Sequence, residues 1–279
     1  MKVKLLLLSA VLLAASLAGG CGEKNEDKKE SSSSAAVISK EESTADVSTA
    51  EESKAEESKA EESSEVSAEV SADVSEPVDP SWFDDAVFIG DSVTLKLSYY
   101  CDDHDDLGNA QFLCAGSLGY NNAQWDYDKP DNVHPVYNGT KYLVDDGAAA
   151  IGAKKIFIML GMNDIGLYGV DGAVDGMKII TERIEKACPD AVIYIQSVTP
   201  MLEGSQLTDL NNTTIAEFNE KVKPICQERG YKYLDVASAM DDGSGNLVYE
   251  YCGDPDAMGL HFSDEGCKVW ADYLKANVQ

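Results

Sequence analysis

Between residues 81 and 279 the sequence alternates short apolar runs with helix-like segments, and this alternation constrains the fold more than any other feature. The apolar runs are mostly continuous, which is the pattern of strands buried on both faces. Strands that alternate with helices predict one domain with a parallel sheet and helices on both faces. The predicted strands are 86–89, 111–114, 155–160, 191–198 and 231–236. The predicted helices are 93–100, 141–151, 172–187, 211–229 and 263–276.

Four short motifs lie where these elements begin or end. "GDS" at 90–92 follows the first strand, "AGS" at 115–117 follows the second, and "GMND" at 161–164 follows the third. "GLHFS" at 259–263 leads into the last helix. Ligands of open parallel sheets bind outside the carboxyl ends of the strands. A serine hydroxyl, a glycine N–H, an asparagine amide and a histidine could therefore converge there as nucleophile, oxyanion donors and general base.

These motifs, in this order, resemble those of the SGNH/GDSL hydrolase family, and the resemblance spans residues 81–279. It implies a three-layer α/β/α fold of the flavodoxin-like type with a five-stranded parallel sheet. It also implies that Ser92 is the nucleophile and His261 the base that accepts its proton. The backbone N–H groups of Ser92 and Gly116 and the side-chain amide of Asn163 would form the oxyanion hole.

Each of these residues also has a purely structural interpretation. Ser92 could only cap the helix that follows it. Asn163 could only cap or turn its loop, and His261 could be a surface histidine ahead of the Ser263 cap. The ordered combination of the motifs favours the catalytic interpretation over these separate ones.

The sequence departs from the family at the acid of the triad. The family's orienting aspartate lies three residues before the histidine, where this chain has Met258. Methionine cannot accept the imidazole N–H, so the candidates for the orienting acid are Asp254 and Asp256. We predict Asp256. Alternatively, a backbone carbonyl orients the ring and the site is a Ser-His dyad, which the short reach of an aspartate favours. The departure also leaves open a non-catalytic, glycan-binding descendant.

The first 21 residues resemble the signal peptide of a bacterial lipoprotein. Lys2 and Lys4 precede an apolar run at 5–17, and small residues then lead to Cys21. Cys21 would carry a diacylglycerol, and two acyl chains are enough for stable anchoring. Ala18 stands where the lipobox prefers leucine. An ordinary secretory signal with a nearby cysteine is the alternative.

Residues 22–80 have a different composition from the domain that follows. Serine, glutamate, alanine and lysine dominate, and "AEESK" recurs at 50–54 and 55–59. Such a segment buries too little apolar surface to offset its ordering entropy. We predict a disordered tether between the membrane and the domain.

Charge and location narrow the possible partners. The formal net charge of −28 makes the chain a poor binder of nucleic acid and of anionic membranes. We predict no cofactor and no metal. The predicted function is an extracytoplasmic, lipid-anchored esterase of the bacterial surface that removes acetyl or another short acyl group from a glycan. A lipase-like esterase or acyltransferase is the alternative enzyme on the same residues.

Two further features concern the cysteines and one long loop. Apart from Cys21 the chain has six cysteines, and no pair has the CxxC spacing of zinc or redox sites. Cys188 and Cys226 are predicted to be free core thiols, and a bridge between Cys252 and Cys267 would pin the loop of His261.

The loop after Gly116 is too long for a simple connection. Its aromatic residues could form a sugar-stacking wall or turn inward: Trp125, Tyr127 and Tyr137.

Overall fold

The computed structural model describes residues 76–278, so the predicted signal peptide, Cys21 and most of the predicted tether lie outside it. The strands are β1 (Ala86–Gly90), β2 (Gln111–Cys114), β3 (Val136–Tyr137), β4 (Thr140–Lys141), β5 (Lys155–Met159), β6 (Val192–Gln196) and β7 (Lys232–Leu234). Five of them form a parallel sheet in the order β2-β1-β5-β6-β7. This is the doubly wound order of flavodoxin-like folds, which confirms the predicted fold class. The hairpin β3-β4 was not predicted.

The helices are α1 (Ser92–Asp103), α2 (Val144–Ile151), α3 (Met162–Ala187), α4 (Asn212–Arg229), α5 (Val236–Met240) and α6 (Asp264–Asn277). Their contacts group them as α2-α3-α4 and as α1-α6-α5, the two helical layers of the sandwich. The short helix α5 was not predicted. α3 begins ahead of its predicted start and is interrupted at Gly169, whose φ of 69° is not helical.

Aromatic residues at matching positions fix the register of the sheet. Phe88 pairs with Phe112 on β2 and with Phe157 on β5, and Phe157 pairs with Tyr194 on β6. Their rings stack in sequence, with centroid separations of 5.2, 4.7 and 4.5 Å. A slip of one residue would turn this stack to the opposite face of its strand. All of β1 is buried, as its continuous apolar sequence indicates.

The cysteines of the described domain are all free thiols. Cys188 and Cys226 are buried, in agreement with the prediction, whereas Cys252 and Cys267 do not form a bridge. Among residues 76–278, no helix is both long enough and apolar enough to cross a membrane.

Candidate active site

The loop after β1 places Ser92 at the first position of α1. Asp91, not Ser92, is the N-cap of this helix, because its Oδ1 accepts the backbone N–H of Val93 at 2.9 Å. The capping interpretation of Ser92 is therefore wrong. Its hydroxyl instead lies 2.9 Å from Nε2 of His261. A serine at the first turn also lies near the positive end of the helix dipole, which favours negative charge developing on its oxygen.

The ring of His261 is held from its other side by Asp254. Nδ1 lies 2.7 Å from Oδ2 of this carboxylate. The Asp254 carboxylate also accepts the backbone N–H groups of Leu260 and His261, both at 3.1 Å, so it is fixed by the segment that carries the histidine. Partial burial opposes its ionisation, but the hydrogen bonds from His261 prevail and hold the pKa of Asp254 below its ordinary value.

The prediction that Asp256 orients the histidine is therefore corrected, and so is the preference for a dyad. The chain turns back on itself after Asp254, whose carbonyl accepts the N–H groups of Ala257 and Gly259. This turn carries Asp256 out to an exposed position and brings Asp254 under the ring, although it lies seven residues before His261. Met258 is 55% exposed and occupies the tip of the loop.

The turn chemistry was the signal that could have identified Asp254. Gly259 has a φ of +63°, a conformation that favours glycine, and it closes the turn that begins at Asp254 and Pro255. Counting residues back from the histidine assumes a direct path through the loop. In this chain the path is a closed turn, so distance along the sequence is a poor guide to the orienting acid.

Asn163 and Gly116 lie on the two loops that flank the loop of Ser92. Gly116 follows β2, and Asn163 follows β5 near the start of α3. The amide Nδ2 of Asn163 donates to the backbone oxygen of Leu118, at 3.0 Å, and to Oδ2 of Asp91, at 3.3 Å. Gly116 is exposed, and no atom lies within 4 Å of the point where a Cβ would stand. The loops of the predicted oxyanion donors therefore meet at one edge of the sheet.

A second buried carboxylate, Asp164, ties two of these loops together. Its Oδ2 accepts the N–H of Tyr120, and its Oδ1 accepts both the backbone and side-chain N–H of Asn121. These bonds are 2.8–2.9 Å long. Asp91 thus links the first loop to the third, and Asp164 links the third to the second. The sequence indicated Asn163 but not this pair of carboxylates.

The buried carboxyl of Asp91 is expected to make stability depend on pH. Burial raises its pKa to about 6, although the Val93 N–H and the His261 charge act in the opposite direction. The folded chain therefore holds this proton more tightly than the unfolded chain does. Ionisation of Asp91 thus lowers stability progressively as pH rises from about 4 to about 6.

Asp91→Asn removes this titration, because an amide resembles the protonated carboxyl. Relative to the wild type, the variant should gain about 3 kcal/mol of unfolding free energy between about pH 4 and pH 7. Urea unfolding at a series of pH values measures the difference. A difference that stays constant across this range would show that Asp91 is ionised at all of these pH values.

A cleft of about 560 Å³ opens beside Ser92 and His261. Its other walls include Lys96 and Tyr99 from α1, and Asp264 from α6. Lys96 forms an ion pair with Asp264, and the ring of Tyr99 is 58% exposed. Sequence reasoning did not single out either α1 residue. Both follow Ser92 at helical spacing, four and seven residues later, and so lie on the same face of α1.

The long loop after Gly116, considered above as either a sugar-stacking wall or an inward-packed segment, does not place its aromatic residues in this cleft. Trp125, Tyr127 and Tyr137 are not among the residues that line this cleft. Tyr137 donates its hydroxyl to Gln111, the first residue of β2, at the edge of the sheet opposite the site. The ring of Trp125 is covered by the ammonium of Lys129. Among the described residues, no three His, Cys, Asp or Glu side chains are placed to hold a metal ion.

A Ser-His-Asp chain of hydrogen bonds at the carboxyl edge of a flavodoxin-like sheet is the arrangement of a serine hydrolase. The model of the GDSL-like lipase/acylhydrolase family matches residues 88–269. The chain belongs to this family, and it is a carboxylic-ester hydrolase. No curated protein matches the sequence significantly.

Solved structures share the fold at low sequence identity. A Streptococcus pneumonia protein named for platelet activating factor has a TM-score of 0.52 and 20% identity, over 74% of this chain and 85% of that one. A Bacteroides fragilis protein named as an acylhydrolase has a TM-score of 0.51 and 17% identity, over 68% of this chain and 84% of that one. At such identities the similarity establishes the fold alone.

Proposed function

We propose that the chain hydrolyses short-acyl esters, acetyl esters above all, through an acyl-enzyme on Ser92, and that the alcohol is a glycan. The observation that carries the proposal is the continuous hydrogen-bonded chain from Ser92 through His261 to Asp254. The non-catalytic alternative rested on Met258 at the usual acid position. Asp254 supplies the missing carboxylate, so that alternative loses its basis.

The proposed reaction follows from the geometry. As Ser92 Oγ bonds to the ester carbonyl carbon, Nε2 of His261 takes its proton. Asp254 keeps the other ring proton on Nδ1 and stabilises the imidazolium. Backbone N–H groups of Ser92 and Gly116 and the amide of Asn163 would stabilise the oxyanion. Collapse expels the alcohol, which receives the proton from His261, and water then releases the acid by the same steps.

The lining of the cleft supports a small acyl group and a polar alcohol. Lys96, Asp264 and Ser263 contribute charged and polar atoms, which suit sugar hydroxyls better than a long alkyl chain. The exposed ring of Tyr99 supplies a flat apolar surface for the face of a sugar. The proposal of a glycan substrate therefore depends on the lining of this cleft and not on the loop of Trp125.

Covalent trapping with a fluorophosphonate tests the proposed nucleophile. We expect a single adduct on the full chain, mapped by peptide mass spectrometry to Ser92 and absent from Ser92→Ala. Ser263 lines the same cleft and is a built-in control, because its hydroxyl hydrogen-bonds to the backbone of Glu250 and Gly266 and not to His261. Labelling of Ser263 in place of Ser92, or of neither, would contradict the proposal.

We also propose that Cys21 is lipidated and anchors the domain to the outer face of a bacterial membrane. The support is the apolar run at 5–17, the small residues before Cys21 and the Ser/Glu-rich segment after it. Mass spectrometry of the membrane-extracted protein should find a diacylglyceryl group on an N-terminal Cys21. An unmodified mature N-terminus elsewhere would contradict the anchor.

A further inference from the structure

A second cleft lies next to the active site. It encloses about 390 Å³, within the size range of small-molecule sites. One wall is formed by the segment from Leu202 to Ser205, and the other by residues near Asp242 and Tyr249. The Tyr249 ring is 64% exposed.

The loop of the candidate triad is shared by the two clefts. Gly253 and Asp254 line the cleft of Ser92, and the next residue, Pro255, lines the second cleft. The wall of the second cleft packs on this loop, because the N–H of Leu202 donates to the backbone oxygen of Gly259 at 2.8 Å. A Cβ on Gly259 would lie only 2.0 Å from the Ser205 hydroxyl oxygen. The two clefts are therefore separated by this single loop.

The second cleft shares two features with the first. Each cleft presents an exposed tyrosine ring beside carboxylates, with Tyr99 and Asp264 in one and Tyr249 and Glu203 in the other. The Glu203 carboxylate has no hydrogen-bond or ion-pair partner among residues 76–278 and is free to accept hydroxyl groups. The exposed Tyr249 supplies apolar contact area, whereas the carboxylates of Glu203 and Asp242 repel anions. This combination suits an uncharged sugar, which offers an apolar face and hydroxyl donors.

We propose that the second cleft is a carbohydrate-binding subsite, and that the two clefts together hold an extended, uncharged glycan across the Asp254–His261 loop. The inference rests on the proposed function and adds to it the length of the substrate. An ester on a polysaccharide would then be recognised by the sugar units on both sides of the loop. A small ester such as p-nitrophenyl acetate would use only the cleft of Ser92.

Chain-length dependence tests the subsite on the full chain. The probes are O-acetylated xylo-, manno- and cello-oligosaccharides from disaccharide to hexasaccharide, with acetate release as the readout. We expect kcat/KM to rise with length in at least one series. Tyr249→Ala should raise KM for the longest oligosaccharides about tenfold, with kcat and p-nitrophenyl acetate hydrolysis unchanged.

Tyr127→Ala is the matched control, because Tyr127 is 53% exposed and lines neither cleft. It should match the wild type on every substrate. The inference is overturned if p-nitrophenyl acetate is hydrolysed but acetate release is absent or independent of length in all three series. Equal KM values for Tyr249→Ala and Tyr127→Ala would overturn it as well. If the wild type did not hydrolyse p-nitrophenyl acetate at all, the proposed function itself would be contradicted.

Discussion

Asp254→Asn is expected to lower kcat for p-nitrophenyl acetate about 10³–10⁴-fold, with little change in KM. The asparagine keeps the size of the side chain but can present N–H to Nδ1 of His261, which favours the tautomer with its proton on Nε2. That nitrogen would then lack the lone pair needed to accept the proton of Ser92, from which it is 2.9 Å away. The imidazolium formed in the reaction would also lose its carboxylate partner.

Asp256→Asn is the control for this prediction, because it makes the same change two positions along the same loop. Asp256 is exposed, so this variant should retain wild-type kcat within about twofold. Steady-state kinetics of both variants, with circular dichroism to verify folding, separates the two acids. If Asp256→Asn were the slow enzyme and Asp254→Asn the normal one, the turn seen here would not be the conformation that reacts.

The sheet could be predicted from the sequence because its three central strands, β1, β5 and β6, are buried on both faces. Such strands have continuous apolar sequences, and each predicted apolar run corresponds to one strand of the sheet. The start of α3 could not be predicted in this way. Its first turns carry "GMND" and then end at Gly169, so they lack the apolar spacing of a longer helix. Hydrogen bonds from Tyr120 and Asn121 to Asp164, more than forty residues away in the sequence, fix their position instead.

The site was predictable where it depends on strand ends and unpredictable where it depends on a loop. Ser92, Gly116 and Asn163 follow strands that are neighbours in the sheet, so topology alone brings them together. Asp254 reaches His261 only through a turn that three backbone N–H groups stabilise around its carboxylate. No spacing rule contains that information. The sequence likewise could not choose between a sugar-stacking and an inward-packed loop, since a hairpin carries Tyr137 to the far edge of the sheet.

Asn163→Ala is expected to lower kcat about 10²–10³-fold while KM changes little. An oxyanion donor acts when charge develops on the carbonyl oxygen, so its loss affects the transition state more than substrate binding. In the resting site the amide donates to Leu118 and, over a longer 3.3 Å, to Asp91. The longer bond is the weaker one, and its N–H is the one that an oxyanion can recruit. Equal kcat values for the wild type and the variant would contradict a role for Asn163 in the oxyanion hole.

Asn163→Asp tests whether activity depends on the amide N–H of Asn163 or only on the size of its side chain. The introduced carboxyl fills the same space but replaces the N–H donor by an acceptor that faces Asp91 and the developing oxyanion. Its activity should therefore be no higher than that of Asn163→Ala at neutral pH. Relative to Asn163→Ala it should recover as the pH falls, because a protonated carboxyl can donate one hydrogen bond. A pH series of kcat ratios measures this, and a flat series would mean that Asn163 only fills space between its neighbouring loops.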